Sequence, residues 1–240
     1  MKRIAIALFM LIPLIGFSQP KNLLTVQRVT PKADKIVEFE KALGAHAQKY
    51  HTGDWKWRVS EVQTGPDAGA YSIVEGPGSW TDADNRGDLG AEHMADWNKL
   101  FGTLTTGQMQ SMVLSYKPEM SSGALADYAE KSSVTHVFPR LGFGGKLEAN
   151  FKKAKKVWEA SGQTILVYQA VSSGEPQYVL VARYKTGWKE REDAFLKPFP
   201  ERYNAAHGAD TYDEYLETIQ RFTSKSWGEM VRFRADLSSK

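Results

Sequence analysis

The residues best placed to do chemistry are five histidines and the carboxylates near them, since none of the 240 residues is cysteine. His93 and Asp96 stand at i and i+3, and His207 and Asp210 repeat that spacing. On a helix this puts both side chains on one face. A carboxylate that accepts a ring N–H fixes the imidazole tautomer and makes the other nitrogen a better base or ligand. These four are the candidate catalytic residues. The same pairs can equally serve a helix start, where histidine and aspartate need no chemistry to explain them.

A metal site needs further ligands. Glu92 adjoins His93, but neighbours at i and i+1 do not share a helix face. His46 and His51 belong to another helix and reach His93 only if the fold brings them. Ligand spacing therefore predicts no metal. Arg28 and His136 fall on two strand candidates, where alternation groups Leu24 and Val26 with Arg28, and Val134 and Phe138 with His136. If those faces line a cavity, Arg28 can hold an anion and His136 can act as acid, base or heme ligand. The alternative is a strand edge facing solvent. Trp80 and Trp188 flank loops before helix candidates and are expected to bind ligand too. The chain carries 7 Trp, 10 Tyr and 11 Phe, enough rings to line a pocket for a flat apolar molecule. There is no P-loop, G-x-S-x-G or H-E-x-x-H. Gly142-Phe143-Gly144 is followed by Leu147 where a dinucleotide loop needs its third glycine.

The elements that must hold these residues are written twice. Phe39-Glu40-Lys41-Ala42 returns as Phe151-Lys152-Lys153-Ala154, Tyr71 as Tyr178, Trp80 as Trp188, His93 as His207 and Met112-Val113 as Met230-Val231. The offsets run from 107 to 118 residues. In the first half, strands are predicted at 23–29, 57–63, 70–75 and 109–116, with helices at 34–50 and 91–104. In the second, strands are predicted at 134–138, 164–171, 178–184 and 230–233, with helices at 146–160 and 201–223. Each half thus reads β-α-β-β-α-β, a ferredoxin-like unit. The units are placed at 19–118 and 134–240, joined by a polar linker at 119–133. One face of each antiparallel sheet is covered by helices, and the other must be buried elsewhere. Packing the two exposed faces together makes a barrel-like cavity, so the fold class is α+β.

The N-terminus has its own pattern. Lys2 and Arg3 precede a mostly apolar run, with Gly16 and Ser18 before a cleavage point ahead of Gln19. Residues 1–18 read as a signal peptide, which predicts export to the periplasm or medium. Losing 18 of 240 residues leaves 222, and losing Lys2 and Arg3 lowers the formal charge from +3 to +1. No dense basic stripe remains for nucleic acid. No stretch reaches the roughly 20 apolar residues of a membrane span, so no stable membrane insertion is expected after cleavage. The absence of cysteine agrees with an oxidising compartment.

Tyr71-Ser72-Ile73-Val74-Glu75, then Trp80-Thr81-Asp82-Ala83-Asp84, then Glu92-His93-Met94-Ala95-Asp96-Trp97, resembles the dimeric α+β barrel superfamily, in particular its antibiotic-biosynthesis-monooxygenase-like and NIPSNAP-like members. The resemblance covers nearly all of residues 22–235 in two copies. It implies a fused pseudo-dimer with a pocket inside each half. Superfamily members include cofactor-free oxygenases, heme-degrading oxygenases, tandem heme enzymes and proteins without known activity, and fold alone does not choose among them. Three readings follow. The first is a non-catalytic protein holding a small, largely apolar or aromatic ligand, with no cofactor. The second is a cofactor-independent monooxygenase-like enzyme, with His93 or His207 as base. The third is heme binding or degradation through His93, His207 or His136. Unfused relatives dimerise to complete the barrel, so the repeat predicts a monomer.

Overall fold

Apolar residues at three-to-four spacing make one stripe of a helix, and that stripe has to be buried. In α1, Ile36–Tyr50, the stripe is Phe39, Leu43 and Ala47, all fully buried. In α4, Gly144–Ala160, it is Leu147, Phe151, Ala154 and Trp158. Both helices lie on the outside of a closed eight-stranded barrel in a computed structural model that describes residues 20–172 and 174–240. The expected signal peptide lies outside the described residues. Among those residues, no helix is long and apolar enough to cross a membrane.

The strands are β1 (Leu23–Pro31), β2 (Trp57–Val62), β3 (Tyr71–Gly78), β4 (Thr105–Tyr116), β5 (Lys131–Pro139), β6 (Thr164–Ala170), β7 (Tyr178–Tyr184) and β8 (Thr223–Phe233). Around the barrel they run β1-β3-β2-β8-β5-β7-β6-β4, and every neighbouring pair is antiparallel. The remaining helices are α2 (Trp80–Asp84), α3 (Ala91–Leu104), α5 (Phe199–His207) and α6 (Thr211–Phe222). α3 runs directly into β4 and α6 directly into β8. Each half therefore carries the β-α-β-β-α-β order, and the protein is an α+β barrel of two ferredoxin-like repeats. The halves join at two seams, β2 on β8 (Val62 opposite Val231) and β4 on β6 (Tyr116 opposite Tyr168). These seams remove every sheet edge.

Matching positions do matching work. Phe39 packs on Tyr71 at 5.1 Å between ring centroids, and Phe151 on Tyr178 at 5.4 Å. The Tyr71 hydroxyl donates to Glu40, and the Tyr178 hydroxyl donates to Glu148. The helices cover one apolar cluster in each half, while Leu24, Leu114, Leu166, Tyr168 and Val179 gather in a third that neither half makes alone.

Two expectations are revised. The single helix predicted over 201–223 is two helices. Gly208 (φ 111°) and Asp210 (φ 61°) take left-handed backbone and break it, a conformation costly for a residue with a side chain. The seams also enclose one shared lumen, where the resemblance implied a pocket inside each half.

Candidate functional site

Antiparallel pairing all round means that β1 and β5 run the same way. Their C-terminal ends open on one rim, beside the β2–β3 and β6–β7 turns. Arg28 and His136 sit near those ends and, because side chains alternate, point inward with Val26 and Val134. The lumen they reach is a cavity of about 380 Å³. Its waist is apolar, lined by Leu24, Val26, Met112, Leu114, Val134 and Val181. At the opposite end Tyr128, from the segment between β4 and β5, lies under the Arg58 and Arg183 guanidiniums, 4.6 and 5.1 Å from its ring centroid. Tyr168, also lining the lumen, has its phenol pushed up to about 12 by burial and stays neutral.

The polar rim is a connected set. Arg28 forks onto Glu229, with Nη1–Oε2 at 2.8 Å and Nη2–Oε1 at 2.6 Å, and Nη1 also donates to Asp67 at 2.8 Å. Burial works against the Glu229 charge, but the two-pronged Arg28 guanidinium, with the His136 ring beside it, outweighs it and holds the carboxyl below its ordinary range. His136 is buried and stacked on Trp227 at 3.9 Å. Its Nδ1 faces the Gln177 amide oxygen at 2.9 Å. An amide oxygen only accepts, so in the neutral ring Nδ1 carries the hydrogen and Nε2 the lone pair. Nε2 is buried without a hydrogen-bond partner, 3.6 Å from Glu229 Oε1. Two acceptors therefore face one gap at the end of an apolar tube, and the group that completes it is a hydrogen-bond donor.

The other expected site residues are placed differently. Asp96 does not serve His93; its Oδ2 lies 2.7 Å from Nδ1 of His46. His207 and Asp210 form no pair either, because the helix break separates them. His207 Nε2 bonds the Lys153 carbonyl at 2.9 Å and Asp210 is exposed. Trp80 and Trp188 stand outside the lumen. Trp80 opens the surface helix α2 and is 52% exposed, and Trp188 packs on Tyr184 in the turn after β7. The lumen's tryptophan is Trp227. Sequence reasoning missed Glu229, Gln177 and Trp227; the alternation of β8 around Val231 was the signal that could have found two of them.

A second cluster lies on the outer side of the first repeat. His46 of α1, His51 just beyond it and His93 of α3 each offer a ring nitrogen, and the three nitrogens lie within 4.8 Å of one another. His46 and His51 are 1% and 0% exposed and His93 is 9% exposed. Burial lowers the pKa of all three, leaving neutral imidazoles at neutral pH. The sequence left His46 and His51 to reach His93 only through the fold, and the fold brings all three together.

No family model matches the sequence, and no curated protein matches it. Solved structures do match over nearly the full barrel. An anthrone oxidase-like protein is 14% identical, with a TM-score of 0.59 over 90% of this chain and 92% of that one. A candidate monooxygenase from Fusobacterium nucleatum subsp. nucleatum is 13% identical, with a TM-score of 0.57 over 88% and 91%. A chlorite dismutase variant from Candidatus Nitrospira defluvii, in complex with cyanide, is 8% identical, with a TM-score of 0.52 over 92% and 93%. At these identities the likeness is one of fold, an α+β barrel spanning nearly the whole of each chain.

Proposed function

We propose that this is an exported barrel protein that holds a small, largely apolar or aromatic ligand in its lumen. The ligand places a hydroxyl or amine in the gap between His136 and Glu229. The observation that carries this is the buried His136 Nε2 with no partner, facing a carboxylate at the end of an apolar tube. Such a group is costly to leave unsatisfied, and a donor from a ligand removes the cost. Export rests on the pattern of residues 1–18. Because both repeat units, 19–118 and 134–240, contribute to one closed barrel, a monomer is the expected state.

A second reading uses the same lumen. A cofactor-independent oxygenase needs a base beside an electron-rich phenol, and His136 or Glu229 stands where that proton would go. The similar solved proteins named as monooxygenase and anthrone oxidase-like favour it. His93 and His207, the bases expected from sequence, lie outside the lumen. Heme has less support from the geometry. An axial ligand must present a nitrogen to an open slot. His136 faces Gln177 and Glu229, His93 lies outside the lumen, and His207 bonds a carbonyl.

Titration of the purified protein with 1-naphthol, followed by tryptophan fluorescence, tests the first reading. Saturable one-to-one quenching is expected, lost in Val134→Trp, which fills the waist, and kept in Trp80→Phe. No saturation with naphthol or related aromatic alcohols, or equal binding by a folded Val134→Trp, would overturn it. Oxygen uptake in the same mixtures separates the enzyme from the carrier.

A further inference from the structure

We propose that His46, His51 and His93 form a binding site for one divalent transition-metal ion of the zinc and copper class. The site lies outside the barrel and does not depend on what fills the lumen.

The spacing of the nitrogens comes first. His51 Nε2 and His93 Nε2 are 3.4 Å apart. Two nitrogens each about 2.0–2.1 Å from one tetrahedral ion stand about 3.4 Å apart. His46 Nε2 is buried with no hydrogen-bond partner, and so is His93 Nδ1. His51 Nε2 and His93 Nε2 have only each other, so these crowded, buried rings offer a cation the inward lone pairs that the protein leaves poorly matched.

The surroundings have the form of a metal site's outer layer. A ligating histidine commonly gives its other ring nitrogen to a carboxylate, which fixes the tautomer and strengthens the ligand. His46 Nδ1 has the Asp96 carboxylate at 2.7 Å, which leaves its unpartnered Nε2 as the coordinating nitrogen. His51 Nδ1 makes no hydrogen bond, but the Glu75 carboxylate lies 3.3 Å from it. Glu75 is itself held by Trp57 Nε1 at 2.8 Å and Arg86 Nη2 at 2.7 Å. The Trp57 indole stacks on His51 at 3.5 Å and locks its ring plane. Asp96 brings a negative charge toward the ion, while that of Glu75 is shared with Arg86.

The ligand set selects the ion. Three imidazoles with no thiolate and no oxygen donor suit zinc, copper, nickel or cobalt, and not calcium or magnesium, which take oxygen. Three protein ligands also leave a fourth position for water.

The test uses untagged protein stripped with a chelator and dialysed. Titration with Zn2+ in a calorimeter is expected to show one equivalent per chain. Co2+ is expected to give the visible absorption of a tetrahedral site, bleached by added Zn2+. His93→Gln should abolish the signal. Asp96→Asn, at a half-exposed side chain whose loss leaves the fold intact by near-ultraviolet circular dichroism, should weaken Zn2+ binding about 10–100-fold. His207→Gln should bind like the parent. If the folded, stripped parent takes up neither Zn2+ nor Co2+, or if His93→Gln and Asp96→Asn bind as the parent does, the three rings are only packing and the proposal is wrong.

Discussion

Arg28 and Glu229 are 201 residues apart in the chain and meet in a two-pronged ion pair of 2.8 and 2.6 Å at the rim of the lumen. One comes from the first strand and the other from the last, so the pair spans the two repeats. The Glu229 side chain is fully buried, and Arg28 is its main cationic partner. Removing the Glu229 carboxylate leaves the mostly buried Arg28 charge with only the partly exposed Asp67 as its anion. Glu229→Gln is therefore expected to cost about 3–5 kcal/mol in chemical denaturation at neutral pH.

The same pair sets an acid limit. The folded-state pKa of Glu229 is lowered, so its contribution is fully present above the ordinary carboxyl pKa of 4.5 and is lost as pH falls through the folded value. Denaturation midpoints should hold at pH 6 to 7 and drop below about pH 4.5. In Glu229→Gln this drop should shrink. An unchanged acid profile in the variant would place the acid sensitivity elsewhere.

Phe39 and Phe151 test the repeat energetically. Each is buried on the corresponding helix against the corresponding tyrosine. Phe39→Ala and Phe151→Ala should each cost about 3–5 kcal/mol, since both leave a large cavity in a packed core. Urea midpoints measure this. If one is near-neutral, the two halves do not share the barrel's stability evenly.

How far the sequence reached differs between the fold and the site. Helical stripes such as Phe39, Leu43 and Ala47, and strand alternation such as Val134, His136 and Phe138, are local patterns and locate elements well. They group Arg28 with Leu24 and Val26, and His136 with Val134 and Phe138, and only the closed barrel turns those faces inward. What pairs with them is not local. Glu229 reaches Arg28 because β2 closes on β8, and no spacing in the chain encodes that seam. Asp96 faces His46 for the same reason, since α1 and α3 meet only when packed on the sheet. The helix break at Gly208 to Asp210 was hidden by an apolar stripe that continues through it in Tyr212 and Ile219.

Tyr128 closes the basic end of the lumen through cation–π contacts with Arg58 and Arg183, each worth about 0.5–1 kcal/mol at an exposed site. Tyr128→Ala should lower stability by less than about 2 kcal/mol and speed 1-naphthol association and release in stopped-flow mixing. Unchanged rates would mean that ligand enters by the other rim.

Hemin added to the purified protein should leave the spectrum of free hemin, because His136 Nε2 faces the Glu229 carboxylate and His93 and His207 lie outside the lumen. A sharp Soret band that disappears in His136→Ala would show that the rim rearranges to hold heme.

The central claim is a ligand in the lumen with its donor between His136 and Glu229. The most direct measurement is a crystal structure with a bromonaphthol, read from the anomalous scattering of bromine. The account predicts one bromine site within the apolar waist near Val26, Val134 and Val181, with the hydroxyl donating to His136 Nε2 beside Glu229. Bromine bound only on the outer surface, or an empty lumen at saturating ligand, would contradict it.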